Sequence, residues 1–419
     1  MDQAPAQREA SELLPIRLPV LWTFGGLVAG LALGWAMAGT PALEGVLPVS
    51  DVVGKLWLRA LQMTIIPLVA ALLVIGIAKL VRAARAGAIA RRMLVLVASV
   101  LVLSGLSSAL LMPLLLDLFP PPRAAAALLE TGALGPQQVP GLGEFVTSLI
   151  APNVVAAAAE TAMLPLTIFF ALFAVALARL PGPQRDSLLA VFLALANTML
   201  TLIGWVLWLA PVGVFALGIG VAAQAGGGAF ATFLHYILAV SATGLVILVG
   251  GYLLAWIGGG ISPLRFAREM LPAQAVAFST QSSLASLPAK LATAKRLGLR
   301  DSTADFALPL AVAIFRATSP AMNMAVAIYV ATVAGVELTP LVLAAGVAVA
   351  FIISVGSVSL PGSISFVISI GPIAIAMGIP VEPLALLVAV EMLPDIVRTL
   401  GNVTMNVGVA ATLERMRDD

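Results

Sequence analysis

The final apolar stretch of the chain, residues 383–413, carries a row of polar side chains that a lipid-facing helix could not hold. A charge in mid-bilayer costs about 2.5–3.5 kcal/mol, so such side chains face a protein interior and usually mark a substrate or ion path. An amphipathic tail helix at the cytoplasmic surface is the alternative, but the apolar flanks are long enough to span. At about 100° per residue these positions share an arc of roughly 100°: Glu391, Asp395, Arg398, Thr399, Asn402 and Asn406.

Composition places this stretch in a membrane protein. Of 419 residues, 61% are hydrophobic and only 10% are charged, which is more apolar surface than a soluble fold could bury. The net charge of +2 gives no reason to expect nucleic acid. The chain has no cysteine and only one histidine, His235, so thiolate or multi-histidine metal sites are excluded. We therefore expect no cofactor, and we find no constellation of side chains typical of an enzyme.

Two apolar segments, residues 267–298 and 340–379, are each broken in the middle by a Ser- and Pro-rich patch. The first patch covers residues 279–288 and the second covers residues 354–363. Such backbone is tolerated at membrane depth only where protein or a watery cavity satisfies the freed amides. A matched pair of interrupted segments indicates a transporter binding site built from two re-entrant hairpins. Two ordinary helices kinked at proline are the alternative.

Eight other apolar segments predict transmembrane helices, and the basic residues predict their orientation. The segments are 17–39, 53–81, 91–117, 145–180, 187–222, 230–257, 303–334 and 383–413. We place both termini in the cytoplasm. The basic residues then concentrate in the cytoplasmic joints, the loops between membrane segments, only if each interrupted segment enters and leaves the membrane on the same side. The residues assigned to those joints include Lys79, Arg82, Arg91, Arg92, Arg179, Arg185, Arg265, Arg268, Lys290, Lys295, Arg296 and Arg300. The two hairpins are therefore predicted to have opposite orientations, as in an inverted repeat.

Several motifs spread over nearly the whole chain occur together in one family. They are Met63-Thr-Ile-Ile-Pro67, Pro152-Asn153, Leu209-Ala-Pro211, Ser282-Ser283, Leu360-Pro361-Gly362 and Asp395-Ile-Val-Arg398-Thr399 followed by Asn402. With them the chain resembles the dicarboxylate/amino acid:cation symporter family, which includes glutamate and aspartate transporters. The last motif, at a fixed spacing after two Ser/Pro hairpins, is highly specific, whereas the earlier motifs alone are weak signals.

The resemblance implies an all-α polytopic membrane fold with eight transmembrane helices, two re-entrant helical hairpins and inverted repeats. It assigns residues 14–81 and 144–222 to a trimerisation scaffold, and residues 85–117 and 229–414 to a transport domain. In relatives the transport domain slides across the membrane past the scaffold, like an elevator. We therefore expect a homotrimer in a lipid bilayer, with the bacterial inner membrane as the expected location.

The resemblance also implies that the polar row binds an acidic small-molecule substrate. Arg398 would bind the side-chain carboxylate through two parallel hydrogen bonds; a structural ion pair with Glu391 or Asp395 is the alternative. Asp395 would accept the substrate amino group, which favours an acidic amino acid over a plain dicarboxylate. The other substrate contacts assigned in this way are Ser282, Ser283, Arg316, Ser319, Ser359, Leu360, Thr399 and Asn402.

The sequence departs from the family at its sodium sites. The family motif Asn-Met-Asp-Gly-Thr, in an unwound seventh helix, is replaced by residues 315–319, Phe-Arg-Ala-Thr-Ser. A literal Asn323-Met324 follows eight residues out of register, and a sodium-binding aspartate is replaced by Asn406. Two carboxylates and an asparagine are therefore missing. A site built from backbone carbonyls stays open near Ala313, Ser354, Val355 and Ser357.

Arg316 adds a fixed positive charge where relatives hold sodium. We hypothesise that its guanidinium stands in for a cation, so that transport needs little or no sodium. A scaffolding pair between Arg316 and Glu391 is the alternative. Glu391 and Asp395 are candidate carriers of a coupling proton, Asn406 is a third candidate coupling position, and simple exchange is equally compatible. A C4-dicarboxylate transporter and an anion channel are the competing functions.

Overall fold

The fold is built from helices, and the described residues contain no β-strand. The computed structural model describes residues 20–84, 87–128, 147, 149–160, 162–225, 228–356 and 362–418. Its helices up to residue 225 are α1 (Val20–Met37), α2 (Pro41–Gln62), α3 (Ile65–Ala84), α4 (Ala88–Leu118), α5 (Ala124–Leu128), α6 (Val154–Ala159), α7 (Met163–Leu177), α8 (Gly182–Trp208) and α9 (Ala210–Ala225).

The remaining helices contain both interrupted segments and the polar row. They are α10 (Gly228–Ile257), α11 (Pro263–Thr280), α12 (Leu287–Leu297), α13 (Asp301–Ile314), α14 (Thr318–Ala334), α15 (Pro340–Gly356), α16 (Gly362–Ala376), α17 (Glu382–Leu387) and α18 (Met392–Asp418). The predicted segment 303–334 is thus divided between α13 and α14, at residues 315–317, where the resemblance implies an unwound helix.

Proline lies beside the division of further predicted segments, including the following two. The segment 53–81 contains the junction of α2 and α3, and Pro67 is the third residue of α3. The segment 187–222 contains the junction of α8 and α9, and Pro211 is the second residue of α9. Proline lacks a backbone N–H and its ring clashes with the preceding turn, so it is accommodated in the first turn of a helix. Each of these segments is therefore two helices.

Long helices with exposed apolar faces make this a multi-pass membrane protein. Large apolar side chains are exposed along α4 and α10, for example Leu110 and Phe230. Within the described residues, four stretches are long and apolar enough to cross a membrane: Pro41–Arg82, Ala88–Leu118, Gly182–Trp208 and Gly228–Ile257. Shorter apolar helices accompany them. The count of eight transmembrane helices stays a prediction.

Small residues allow the helices to approach closely. Gly26, Gly30 and Gly34 form a stripe on α1 that packs on the backbone of α9. A Cβ atom at any of these three positions would clash with a carbonyl oxygen of α9. Small residues spaced in this way are typical of helix pairs in membranes, where backbones pack directly.

The last helix, α18, lies at the centre of the second half of the chain. It packs on α10, α11 and α13, and every residue from 401 to 413 is buried. At the contact with α10, a Cβ atom on Gly408 would lie 2.8 Å from the carbonyl oxygen of Gly251. The polar side chains of the row on α18 are likewise buried in protein, as predicted from the sequence.

Each interrupted segment forms a pair of packed helices. In the first, α11 and α12 are joined by residues 281–286, and Gln281 adopts a left-handed conformation with φ 48°. Thr293 Oγ1 donates to the carbonyl oxygen of Glu269 at 3.1 Å, which ties the two helices together. In the second, α15 packs on α16. The connecting residues 357–361 lie outside the described residues, and the re-entrant path of both hairpins stays a prediction.

Candidate functional site

A buried ion pair forms the centre of the site. Arg398 Nη2 lies 2.7 Å from Glu391 Oε1, and its Nη1 donates to Asn323 Oδ1 at 2.8 Å. Glu391 was expected in the same helix as Arg398, but it lies in the turn before α18. Pro394 explains the difference, because it occupies the first turn of α18 and a continuous helix would clash with its ring. Glu391 still reaches the guanidinium seven residues further on.

Asp395 interacts with two guanidinium groups. Its Oδ1 is 3.4 Å from Arg398 Nε, and Arg316 also interacts with it electrostatically. Arg316 is partly buried and sits in the break between α13 and α14, where the backbone is extended at Phe315. Because Arg316 lies at this break, its positive charge can interact with Asp395 of the polar row.

The break at residues 315–317 is held in place by hydrogen bonds from two other helices. Thr318 donates to Asn402 Oδ1 through its backbone N–H at 3.0 Å and through its hydroxyl at 2.9 Å. Ser104 Oγ on α4 donates to the carbonyl oxygen of Ala317 at 2.5 Å. Backbone groups released by a helix break are thus satisfied inside the protein. Asn402, predicted to contact substrate, has this structural role as well.

Two polar residues that contact the Arg398–Glu391 pair were missed from the sequence. Asn323 was dismissed as out of register with the family motif, but it receives the hydrogen bond from Arg398. Tyr236 on α10 donates to Glu391 Oε2 at 3.4 Å and packs edge-on against Tyr329, with ring centroids 5.3 Å apart. The available signal for Asn323 was a lone amide in an otherwise apolar stretch of α14.

The structure brings most of the predicted site residues together. Thr399 Oγ1 donates to the carbonyl oxygen of Asp395 at 2.9 Å, and Ser319 is buried at the start of α14. The turn that contains Ser282 and Ser283 is partly buried, and it approaches α18 where Gln281 Nε2 lies 3.5 Å from the carbonyl oxygen of Met392.

The expected contributions of the second hairpin are only partly described. Ser354 and Val355 are buried in α15, and Ala313 belongs to α13. Ser357, Ser359 and Leu360 lie outside the described residues. Both the substrate contacts and the backbone sodium site assigned to these residues stay predictions.

Lys290, assigned from the sequence to a cytoplasmic joint, lies within α12 and is not an exposed basic residue of a joint. Its side chain is 0% exposed, and its ammonium donates to the carbonyl oxygen of Ser283 at 3.0 Å. Lys290 belongs to the buried face of α12 with Ala294 and Leu297, at the spacing of one helix face. Lys295 lies on the other face and is 57% exposed. The basic residues of this helix therefore differ in environment.

A multi-pass helical protein that buries paired charges beside broken helices has the features of a membrane transporter. The chain belongs to the sodium:dicarboxylate symporter family, whose family model matches residues 20–416. This is a family of transporters, and the resemblance inferred from the sequence motifs is confirmed.

Curated relatives carry the names of several transporters. The chain is 26% identical to the proton/sodium-glutamate symport protein of Bacillus subtilis (strain 168), over 94% of this chain and 91% of that protein. It is 27% identical to the proton/glutamate-aspartate symporter of Escherichia coli (strain K12), over 84% and 82%. It is 29% identical to C4-dicarboxylate transport protein 1 of Pseudomonas aeruginosa (strain UCBPP-PA14), over 68% and 63%.

Proposed function

We propose that the chain is a secondary active transporter of acidic amino acids such as aspartate or glutamate. The observation that carries the proposal is the buried carboxylate of Asp395 beside the guanidinium of Arg398, 3.4 Å apart. A substrate with a carboxylate and an ammonium group can pair with both side chains at once. The names of two relatives, a glutamate and a glutamate-aspartate symporter, support this assignment.

The hydrogen bonds of Arg398 within the described residues leave guanidinium donors for a substrate carboxylate. A guanidinium carries five N–H donors. Asn323 and Glu391 each accept one, and Asp395 faces the Nε–H group. We propose that the substrate ammonium draws Asp395 towards itself, and that its carboxylate takes the guanidinium edge so released. Ser282 and Ser283, in the turn of the first hairpin, would close over the other end of the substrate.

We further propose that transport depends little on sodium. Arg316 places a positive charge beside Asp395 inside the protein, and Asn406 is neutral. A proton carried by Glu391 or Asp395, or simple exchange of substrates, would then set the direction of transport.

The proposed transporter has eight transmembrane helices, two re-entrant hairpins and a homotrimeric scaffold, and it works as an elevator with both termini in the cytoplasm. The mutual packing of α1, α2 and α9 supports the scaffold, and that of α4, α10, α14 and α18 supports a separate transport domain. The division follows residues 14–81 and 144–222 for the scaffold and 85–117 and 229–414 for the transport domain.

Counterflow in proteoliposomes tests the proposal. Vesicles loaded with unlabelled aspartate should accumulate labelled aspartate or glutamate with saturable kinetics, in choline chloride as well as in sodium chloride. Saturable counterflow distinguishes a carrier from an anion channel. A steep requirement for sodium would contradict the proposed ion independence, and absence of uptake of either amino acid would contradict the substrate class.

A C4-dicarboxylate transporter is the second candidate, supported by the similarity to the relative with that name. The variant Asp395→Ser separates the two functions. Loss of a hydrogen bond to a charged group should weaken aspartate binding by about 10- to 100-fold, while succinate, which has no ammonium group, keeps its affinity. Asp305→Ser, at an exposed carboxylate of α13, is the matched control. Wild-type protein that binds succinate and excludes aspartate would favour the dicarboxylate function.

A further inference from the structure

Lys290 is a buried cation whose contacts are neutral oxygens. Its ammonium donates to the carbonyl oxygen of Ser283 at 3.0 Å. With the Asn406 amide oriented to satisfy both of its polar atoms, its oxygen accepts from Lys290 Nζ at 3.1 Å. The Asn406 nitrogen then donates to the carbonyl oxygen of Asn402 at 3.1 Å. Among the described residues, no carboxylate forms an ion pair with Lys290.

Packing alone does not account for a lysine at this position. Removing an ammonium from water costs several kcal/mol, and apolar side chains of similar volume commonly replace buried charges without loss of stability. The neighbouring positions on the same face of α12, Ala294 and Leu297, are apolar. The two oxygens that Lys290 contacts are the remaining reason for a lysine at this position.

Those two oxygens belong to different parts of the site. Ser283 is in the turn of the first hairpin, residues 281–286, which we call the first tip. Asn406 lies on α18, one turn beyond Asn402, whose side chain holds the break before α14. Among the described residues, the other hydrogen bond between the first tip and α18 is the long one from Gln281, at 3.5 Å. The ammonium is therefore the stronger of these two links.

We propose that the Lys290 ammonium is a tethered cation that holds the first tip closed against α18. A carbonyl oxygen and an amide oxygen are ligands that also suit a free monovalent cation. The lysine supplies such a charge from within the chain, so the tip closes without a bound metal ion. This inference rests on the proposed function only where it places the closed tip over an acidic substrate. Like the positive charge of Arg316, the Lys290 ammonium would give a physical reason for transport without sodium.

A single cysteine at the last residue of the first tip reports whether the tip is closed. The chain contains no cysteine, so Ser286→Cys introduces the only thiol. Ser286 is 0% exposed and its hydroxyl donates to the carbonyl oxygen of Ser283, so a maleimide reaches this position only when the tip opens. The labelling rate of the purified full-length protein requires no substrate.

The experiment compares Lys290→Ala and Lys290→Met in the Ser286→Cys background. Loss of a charge-assisted bond should raise the labelling rate in choline chloride by about 10- to 100-fold in both variants. Sodium chloride or methylammonium chloride should slow the labelling of Lys290→Ala again, since alanine leaves space for a free cation. Lys295→Ala, at the exposed lysine paired with Asp301, should label like the parent.

Three outcomes would overturn the proposal. Slow labelling of Lys290→Ala in choline would mean that the tip closes without the ammonium. Slow labelling of Lys290→Met would mean that the volume of the side chain matters and its charge does not, and this variant preserves that volume if alanine prevents folding. Fast labelling of folded Lys290→Ala that no cation slows would leave Lys290 with a structural role only. None of these results depends on substrate, so failed aspartate transport would count against the proposed function alone.

Discussion

Two buried basic side chains, Arg398 in the polar row and Lys290 in contact with it, are stabilised in different ways. Arg398 faces two carboxylates and an amide, with Glu391 at 2.7 Å. Lys290 contacts a carbonyl oxygen and an amide oxygen, and the carbonyl belongs to the turn of a hairpin. The first cation is neutralised by groups of the core, whereas the second joins a turn to the core.

The difference indicates which contact can open during transport. Breaking a buried ion pair leaves an uncompensated charge and costs about 3–5 kcal/mol. A bond from an ammonium to a neutral oxygen contributes about 1.5–3 kcal/mol, within the range of local opening in folded proteins. We therefore expect the Arg398–Glu391 pair to persist through the transport cycle and the Lys290 contacts to open and close.

Removing Arg398 should have the largest effect. In Arg398→Ala the Glu391 carboxylate is left buried without its cation, so the stability should fall by about 3–5 kcal/mol. Thermal unfolding of the purified protein measures this change. The control Arg82→Ala removes a surface arginine that is 70% exposed and 3.8 Å from Asp186, where about 0–1 kcal/mol is expected. Equal melting temperatures for both variants would show that the Arg398 cluster does not hold the fold.

Neutralising Glu391 should have a smaller effect. In Glu391→Gln the new amide oxygen would still accept from the guanidinium, and the expected loss is about 1–3 kcal/mol. The double variant Arg398→Met with Glu391→Gln should recover part of the loss seen for Arg398→Ala, since position 391 then carries no buried charge without a partner. Strictly additive losses in the double variant would argue against coupling between the two side chains.

A carboxylate partner for Lys290 should give it an ion pair like that of Arg398 with Glu391. In Asn406→Asp the ammonium gains an ionised acceptor, and the contact should strengthen by about 1 kcal/mol. Maleimide labelling of the Ser286→Cys reporter should then slow by about fivefold, the equivalent of that energy. Asn197→Asp, at an amide on α8 outside the site, is the matched control. Faster labelling of Asn406→Asp would contradict the assigned contact.

The polar row was predictable because its signal is local. Helical periodicity within one apolar stretch was sufficient to predict that Asp395 and Arg398 face the protein interior. The Ser- and Pro-rich patch was sufficient to predict where the turn between α11 and α12 lies. Proline rules also account for the start of α18 at Met392, although the sequence interpretation extended one helix through Pro394.

Lys290 and Asn323 were not predictable in the same way. The prediction of orientation from basic residues assigned every lysine beyond the first hairpin tip to the cytoplasm. It could not include the packing of α12 on α18, which buries Lys290. Asn323 was judged by its position in the sequence relative to the family motif. Its contact with Arg398 depends instead on the position of α14, which begins after the break at residues 315–317. Both assignments need the tertiary arrangement of helices that are distant in sequence.

The smallest expected effect concerns the outer contact of the Arg398 cluster. Tyr236→Phe removes a hydroxyl that lies 3.4 Å from Glu391 Oε2 but keeps the edge-on packing against Tyr329. A loss of about 0.5 kcal/mol is expected, the low end for a hydrogen bond, because Glu391 keeps its cation. Tyr252→Phe, at a hydroxyl that accepts from Gln274 at 3.0 Å, is the control for losing a phenol elsewhere. A loss as large as that of Glu391→Gln would mean that the carboxylate depends on Tyr236 as much as on Arg398, and the ion pair would then not be the fixed centre of the site.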